Sequence, residues 1–212
     1  MVSHPSLTKY DVPGSPRALI LMLHGGKKHS FMPVDWRSTS WQRSRAMQRA
    51  ITPRARQEGV STWLLRYRHR GWNEVDSPSP VPDARWALDE VTRELGEVPV
   101  VLLGHSMGAR TAARVADHER VVGVVALAPW FEKNDPVTPL AGRRLATAHG
   151  SRDRITSPSA TGAFVRRAAE VAASTETHDP GPLGHYMLRD IATWNDFAIT
   201  RALAMTRPMD GA

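Results

Sequence analysis

Short apolar segments alternate with longer amphipathic segments along this chain. The short segments are rich in β-branched residues and leucine, and they predict strands at residues 18–23, 60–67, 98–103, 121–127, 144–148 and 173–177. The longer segments predict helices at residues 41–58, 82–96, 107–118, 158–172 and 188–205. Most of the predicted strands are apolar at almost every position, which is typical of parallel strands covered on both faces. We therefore predict an α/β fold with a doubly wound, mostly parallel sheet of about six to seven strands and helices on both faces.

The composition is that of an ordinary globular domain. Of the 212 residues, 41% are hydrophobic and 23% are charged, and neither an internal repeat nor a linker interrupts the chain. We therefore expect residues 1–212 to form a single domain. The chain contains no cysteine, which excludes a disulfide scaffold, a thiol nucleophile and a zinc site with cysteine ligands.

The chain is basic, with a formal net charge of +7 from 28 basic and 21 acidic residues. The basic residues never form a run of five or six, so we expect solvated surface charges and no nucleic-acid partner. Residues 1–18 contain three prolines and no apolar core of the kind that a secretion signal requires. The longest apolar run, at residues 121–131, is shorter than the ~20 residues that cross a bilayer. These features predict a cytoplasmic protein without a membrane span.

A glycine-flanked serine follows the third predicted strand. Residues 98–103 lead directly into Gly-His-Ser-Met-Gly at residues 104–108, and small helix-forming residues follow. A strand, G-x-S-x-G and a helix in this order are typical of a nucleophile turn, in which the serine hydroxyl projects over the edge of the sheet. Side chains at the two flanking positions would collide with neighbouring strands, which explains the glycines. Ligands of such sheets bind beyond the carboxyl ends of the strands, where this turn lies.

With this turn, the chain resembles the α/β-hydrolase fold superfamily over nearly its whole length. Its motifs occur in the order of that superfamily, which is oxyanion loop, serine, acid and histidine. The resemblance implies that Ser106 is the nucleophile of an acyl chemistry that requires no cofactor. Epoxide hydrolases and dehalogenases of this fold carry an aspartate there, so we do not expect their reactions. The nearest spacing for a metal, His24 to His29, lies on a glycine-containing loop, and we expect no metal site.

The resemblance also implies a histidine base and an orienting acid. His185, in the loop before the last predicted helix, is the expected base, and a surface-loop histidine is the alternative. Asp153 follows the strand at residues 144–148 in a segment that resembles the acid loop of the superfamily, and it is the expected acid. An ion pair with a neighbouring arginine is the alternative role of Asp153. Asp135 is a rival acid, because some relatives carry the acid after the preceding strand.

Two main-chain amides are expected to form an oxyanion hole. One belongs to Met107, directly after the nucleophile. The other belongs to the loop after the strand at residues 18–23, which resembles the His-Gly motif of the superfamily. The residue that follows this His-Gly pair is Gly26, with Lys27 as an alternative one position later. We expect His24 to fix the loop through hydrogen bonds.

Aromatic and basic residues follow the strand ends on the same side of the predicted sheet. Trp36, Trp72 and Trp130 are expected to line the substrate pocket, where they would suit an acyl chain or an aromatic ester. Packing beneath loops is the alternative role of these residues. Lys27 is expected to line the pocket and, with other basic residues nearby, to steer an anionic substrate or an acidic carrier protein.

Larger relatives insert a cap before the strand that carries the acid. Only residues 128–142 fill this interval here, so we expect a minimal cap or none, and an open cleft. The segment at residues 29–42 is a candidate for a partial lid.

The leading hypothesis is a serine hydrolase that cleaves a small carboxylic ester through an acyl-enzyme intermediate. A thioesterase or acyltransferase acting on acyl-carrier or CoA substrates is the alternative within the same chemistry. A non-catalytic ligand-binding sensor is the alternative from another class, because some hormone receptors of the superfamily keep their triad. The sequence leaves the acyl group and the leaving group open.

Overall fold

A seven-stranded sheet forms the centre of the structure, a computed structural model that describes residues 4–207. The strands are β1 (Ser6–Tyr10), β2 (Ala18–Leu23), β3 (Val60–Arg66), β4 (Val100–His105), β5 (Val121–Leu127), β6 (Arg144–Ala148) and β7 (Ser174–His178). They lie in the order β1-β3-β2-β4-β5-β6-β7, and every neighbouring pair is parallel except β1 and β3. The predicted fold class is thereby confirmed. The single-domain prediction includes residues 1–3 and 208–212, which lie outside the described residues, and it stays a prediction.

Within residues 4–207, five α-helices cover the two faces of the sheet. They are α1 (Thr39–Gln57), α2 (Pro80–Leu95), α3 (Met107–Arg114), α4 (Pro158–Ala168) and α5 (Ile191–Met205). Right-handed crossovers place α1, which connects β2 to β3, on one face, and α2 and α3, which lead to β4 and β5, on the other. α5 packs against α1. All five predicted helices are present with shifted ends. No helix within residues 4–207 combines the length and the apolar character needed to cross a membrane.

Helices on both faces explain the apolar pattern of the central strands. Every residue of β2 and β4 is buried, because each face of these strands packs against helices instead of water. The loops described below lie at the carboxyl-terminal edge of this buried sheet.

The sequence pattern does not predict strand β1. Its five residues contain no continuous apolar run, and all of them are only half-buried. β1 pairs antiparallel with β3 at the edge of the sheet. The buried side-chain amide of Gln48 in α1 donates hydrogen bonds of 2.9 Å to the carbonyls of Thr8 and Thr62, which belong to these two strands. Tertiary pairing therefore creates β1, and local propensity alone does not.

The connection from β5 to β6 contains no cap domain. Residues 128–142 form loops and a single 3₁₀ turn, Thr138–Leu140. Phe131 in this connection is buried and stacks on Phe164 of α4, with 3.8 Å between the ring centroids. The connection therefore lies against the domain, and the predicted minimal cap is confirmed.

Candidate active site

Ser106 lies on a strained turn between β4 and α3. Its backbone has φ 55° and ψ −118°, a conformation that costs free energy in a residue other than glycine. A Cβ at Gly104 would lie 2.5 Å from the Cα of Ala109, and one at Gly108 would lie 2.5 Å from the carbonyl carbon of Leu23. Both flanking positions therefore require glycine, because α3 starts almost in contact with β4 and β2.

Ser106, His185 and Asp153 form one chain of hydrogen bonds. Nε2 of His185 lies 3.0 Å from Oγ of Ser106, and Nδ1 of His185 lies 2.8 Å from Oδ2 of Asp153. A carboxylate oxygen accepts, so Nδ1 of His185 carries the proton and Nε2 is free to accept from the serine hydroxyl. All three residues are buried. The structure thus brings together the three residues that the sequence analysis singled out.

The carboxylate of Asp153 accepts hydrogen bonds at both oxygens. Oδ2 accepts from His185, from Nε2 of His149 at 3.1 Å and from Oγ1 of Thr156 at 2.9 Å. Oδ1 accepts from the main-chain N–H groups of Ile155 at 2.8 Å and Thr156 at 3.0 Å. Burial by itself raises the pKa of this carboxyl, but these donors, led by His149 and His185, hold the pKa of Asp153 below its usual range. Asp153 is therefore anionic at neutral pH.

Thr156 is a residue of this site that sequence reasoning missed. Its Oγ1 also lies 3.1 Å from Nδ1 of His185, so it contacts the base and the acid together. The signal in the sequence was weak: an aspartate followed by a hydroxyl residue three positions later at a strand end, a pattern common in turns. His149, which the sequence analysis did not assign to the site, accepts from Oγ1 of Thr161 at 2.8 Å through Nδ1 and is thereby oriented toward Asp153.

The rival acid Asp135 is held elsewhere. Its buried carboxylate pairs with Arg110 at 2.7 Å and with Arg114 at 3.0 Å, and it accepts from the main-chain N–H of Glu132 at 2.8 Å. His185 is not among its hydrogen-bond partners. Asp135 thus forms ion pairs with two arginines of α3. It does not contact His185, so it does not occupy the position of the acid.

His24 joins the loop after β2 to the end of β3. Its Nδ1–H donates to the carbonyl of Gly25 at 2.6 Å, and its Nε2 accepts from the N–H of Tyr67 at 3.4 Å. Burial lowers the pKa of His24 to about 4, so the imidazole is neutral at physiological pH. These contacts place His24 where the sequence analysis expected it, as a support of the loop that contains Gly26.

The main-chain amides of Gly26 and Met107 are the two candidate oxyanion donors. Within residues 4–207, neither N–H has a hydrogen-bond acceptor. The N–H of Lys27, the alternative donor, already donates to the carbonyl of Arg70 at 2.7 Å. A Cβ at Gly26 would lie 2.5 Å from Sδ of Met107, so the side chain of Met107 packs directly against this position.

Two cavities open on Ser106 and His185. The first has a volume of about 220 Å³ and is bounded by Lys27, by residues 38–40 at the start of α1, and by Arg43. The second has a volume of about 320 Å³, and its side chains include Trp130. Tyr186 borders both cavities. The candidate nucleophile therefore lies between a basic cavity and a partly aromatic one.

Two of the four predicted pocket residues line a cavity beside Ser106, and two do not. Lys27 lines the first cavity and Trp130 the second. The prediction is wrong for Trp72, which lines neither cavity: it is buried beside Trp130, with 5.9 Å between the ring centroids, and beneath the guanidinium of Arg110. It is also wrong for Trp36, which is 66% exposed and lines neither cavity.

The segment at residues 29–42 is one wall of the first cavity. The N–H of Val34 donates to the carbonyl of Arg68 at 3.2 Å, and Arg70 forms an ion pair with Asp35 at 2.9 Å. These contacts tie the segment to the loop after β3, which leaves Trp36 at the surface and brings residues 38–40 over the cavity.

Comparison with known proteins agrees with this architecture. Residues 20–209 match a family model described as the alpha/beta hydrolase family. Solved structures with the same fold include an alpha-beta serine hydrolase homologue from Coxiella burnetii, at 15% identity and a TM-score of 0.70 over 93% of this chain and 91% of that chain. Est1E from Butyrivibrio proteoclasticus with bound ferulic acid matches at 12% identity and 0.68, over 95% of each chain. A monoacylglycerol lipase from Paleococcus ferrophilus matches at 14% and 0.68, over 95% of this chain and 99% of that chain. No match was found among curated proteins.

Proposed function

Because the chain belongs to the alpha/beta hydrolase family, we propose that it is a serine hydrolase that cleaves a small carboxylic ester through an acyl-enzyme intermediate. The observation that carries this proposal is the continuous chain of hydrogen bonds from Ser106 through His185 to Asp153. A serine hydroxyl becomes a nucleophile only when a base accepts its proton, and a base needs an orienting partner to be held in the correct tautomer.

The chemistry follows from the positions of these atoms. Oγ of Ser106 attacks the ester carbonyl carbon while its proton passes to Nε2 of His185, and Asp153 stabilises the resulting imidazolium. The amides of Gly26 and Met107 donate to the oxygen that becomes negatively charged. Collapse of the tetrahedral intermediate breaks the bond to the alcohol, which takes the proton from His185. A water molecule then attacks the acyl-enzyme with the same base, and Ser106 is released with the carboxylic acid.

A thioesterase is the second candidate, and the exposed cations at the mouth of the site favour it. Lys27 and Lys28 border the cavities and, within the part of the chain that the structure describes, have no carboxylate partner. Free positive charge at the entrance attracts anionic substrates and acidic carrier proteins. Hydrolysis rates of matched oxygen esters and acyl-carrier thioesters separate the two candidates.

The decisive experiment combines a fluorophosphonate probe with a panel of p-nitrophenyl esters and acyl thioesters. We expect the probe to label the wild-type protein and not Ser106→Ala, with kcat about 10⁴-fold lower or more in the variant. Ser77→Ala, an exposed loop serine, is the matched control and keeps both activities. Unchanged turnover in Ser106→Ala contradicts the proposal, and a product burst without further turnover identifies a sensor instead of an enzyme.

A further inference from the structure

Basic side chains border the cavity beside Ser106. They are Lys27, Arg43 and Arg70, and none of its lining residues within 4–207 is an aspartate or a glutamate. Arg70 is neutralised by its ion pair with Asp35 at 2.9 Å and donates to the carbonyl of Pro33 at 2.9 Å. Arg70 therefore binds the segment that forms the wall of the cavity, and its charge is already paired with Asp35.

Arg43 differs from Arg70, because its charge is not compensated. No carboxylate of residues 4–207 lies within ion-pair distance of its guanidinium, and its Nε is buried without a hydrogen-bond acceptor. The guanidinium lies over the ring of Tyr186, 5.1 Å from the centroid. Burial lowers the pKa of Arg43, because the side chain is partly removed from water, and no carboxylate of residues 4–207 offsets this loss.

On its other side, too, Arg43 has no acidic neighbour among the described residues. There it borders an apolar groove of about 540 Å³ between α1 and α5, whose lining includes Met47, Leu188 and Ile191 and no acidic residue. A half-buried arginine between an apolar groove and a reactive serine loses hydration free energy, and an anion bound in the cavity offsets that loss. A carboxylate fits best, because arginine binds planar carboxylates through two parallel hydrogen bonds.

We propose that Arg43 selects substrates that carry a carboxylate in addition to the scissile ester, and that this carboxylate binds in the cavity between Arg43 and Lys27. The inference rests on the proposed function and names its substrate class. The substrates are half-esters of short dicarboxylic acids, or hydroxy acids acylated on the hydroxyl group. In both classes the carboxylate remains intact while Ser106 attacks the ester carbonyl.

A matched substrate series tests this assignment. One arm places the charge on the acyl side, with monomethyl adipate against methyl heptanoate. The other places it on the alcohol side, with 4-acetoxybenzoate against p-tolyl acetate. We expect the wild-type protein to prefer the anionic member in at least one arm, which also shows on which side of the ester the carboxylate lies.

Substitutions at position 43 isolate the arginine. We expect Arg43→Met to lower kcat/KM for the preferred anionic ester by about tenfold or more, mainly by raising KM, while the neutral ester changes less than about twofold. Arg43→Lys keeps part of the preference. Arg49→Met, an exposed position on the same helix, is the control and keeps the wild-type ratio. The proposal is overturned if Arg43→Met lowers both rates equally or if the wild type shows no preference in either arm.

A binding measurement keeps this test separate from turnover. Ser106→Ala should bind the preferred anionic ester in a calorimetric titration, and Ser106→Ala/Arg43→Met should bind it about tenfold more weakly. If the wild-type protein hydrolyses none of these esters while the two variants still differ in binding, the proposed reaction is contradicted and the role of Arg43 is not. Equal binding by the two variants would contradict the role of Arg43 and would leave the proposed reaction unaffected.

Discussion

The imidazole of His105 donates a hydrogen bond from Nε2 to the main-chain carbonyl of His185, with 3.0 Å between the two atoms. The residue that precedes the nucleophile in β4 therefore also holds the loop that presents the base. A carbonyl oxygen only accepts, so Nε2 carries the proton. Burial lowers the pKa of His105 to about 3, which keeps the ring neutral and this contact intact at physiological pH.

We expect the free energy of unfolding to decrease as the pH falls below about 6.5. In the folded state, burial lowers the pKa of His105 to about 3 and that of His24 to about 4, whereas the unfolded chain restores a value near 6.5 for both. The unfolded state therefore binds protons that the folded state excludes, and stability is lost progressively between about pH 6.5 and pH 3. Urea unfolding at several pH values measures the slope. His105→Phe should have a shallower slope, and parallel curves for the two proteins would contradict the assignment.

Substitution of the two candidate acids should have opposite consequences. Asp153→Asn can hold His185 in the wrong tautomer, so we expect kcat for a neutral ester to fall by about 10⁴-fold with little loss of fold. Asp135→Asn breaks the buried pairs with Arg110 and Arg114, so we expect a loss of about 3 kcal/mol of unfolding free energy with kcat per folded molecule retained. Steady-state kinetics and urea unfolding of both variants check this. A large loss of kcat in folded Asp135→Asn would indicate that Asp135 is the acid that orients His185.

Adding one methyl group should have opposite effects at two glycines. Gly108→Ala places a Cβ 2.5 Å from the carbonyl carbon of Leu23, where only backbone can give way, so we expect a loss of about 3 kcal/mol or more, or no folded protein. Gly162→Ala lies within α4, with the end of the Arg166 side chain as its nearest neighbour at 3.5 Å. There we expect a gain of about 0.5–1 kcal/mol, because alanine is the better helix former. Thermal unfolding of both variants decides, and equal effects would be inconsistent with the close approach of α3 to β2.

Gly26→Ala should damage both the fold and the reaction, so kcat is compared per folded molecule. A Cβ at this position would meet Sδ of Met107 and the carbonyl oxygen of Arg70, both at 2.5 Å, and would displace one of the two free amides. We expect kcat for a neutral ester to fall by about 10²–10³-fold, as for loss of one oxyanion donor. His29→Ala, at an exposed position of the same loop, is the control. An unchanged kcat in Gly26→Ala would assign the second donor to another group.

The sequence by itself determined the features that depend on neighbouring residues. The apolar segments indicated the parallel strands because burial on both faces demands apolar residues at every position. The glycines at 104 and 108 marked the turn of Ser106, since a strand that passes directly into a helix leaves no room for a Cβ there. Strand β1 lacks such a local signature, and its residues become a strand only by pairing with β3.

Only the tertiary structure decided which distant groups meet. Asp153 and Asp135 both follow strands and look equivalent along the chain, yet one accepts from His185 at 2.8 Å and the other from two arginines. In the same way, no pattern in the sequence indicated that Trp72 would lie beneath an arginine, or that Arg43 would have no counter-ion among residues 4–207. Hydrogen bonds and ion pairs act over a few ångströms, so their partners depend on the order of the strands and the path of each loop, which no local pattern of residues specifies.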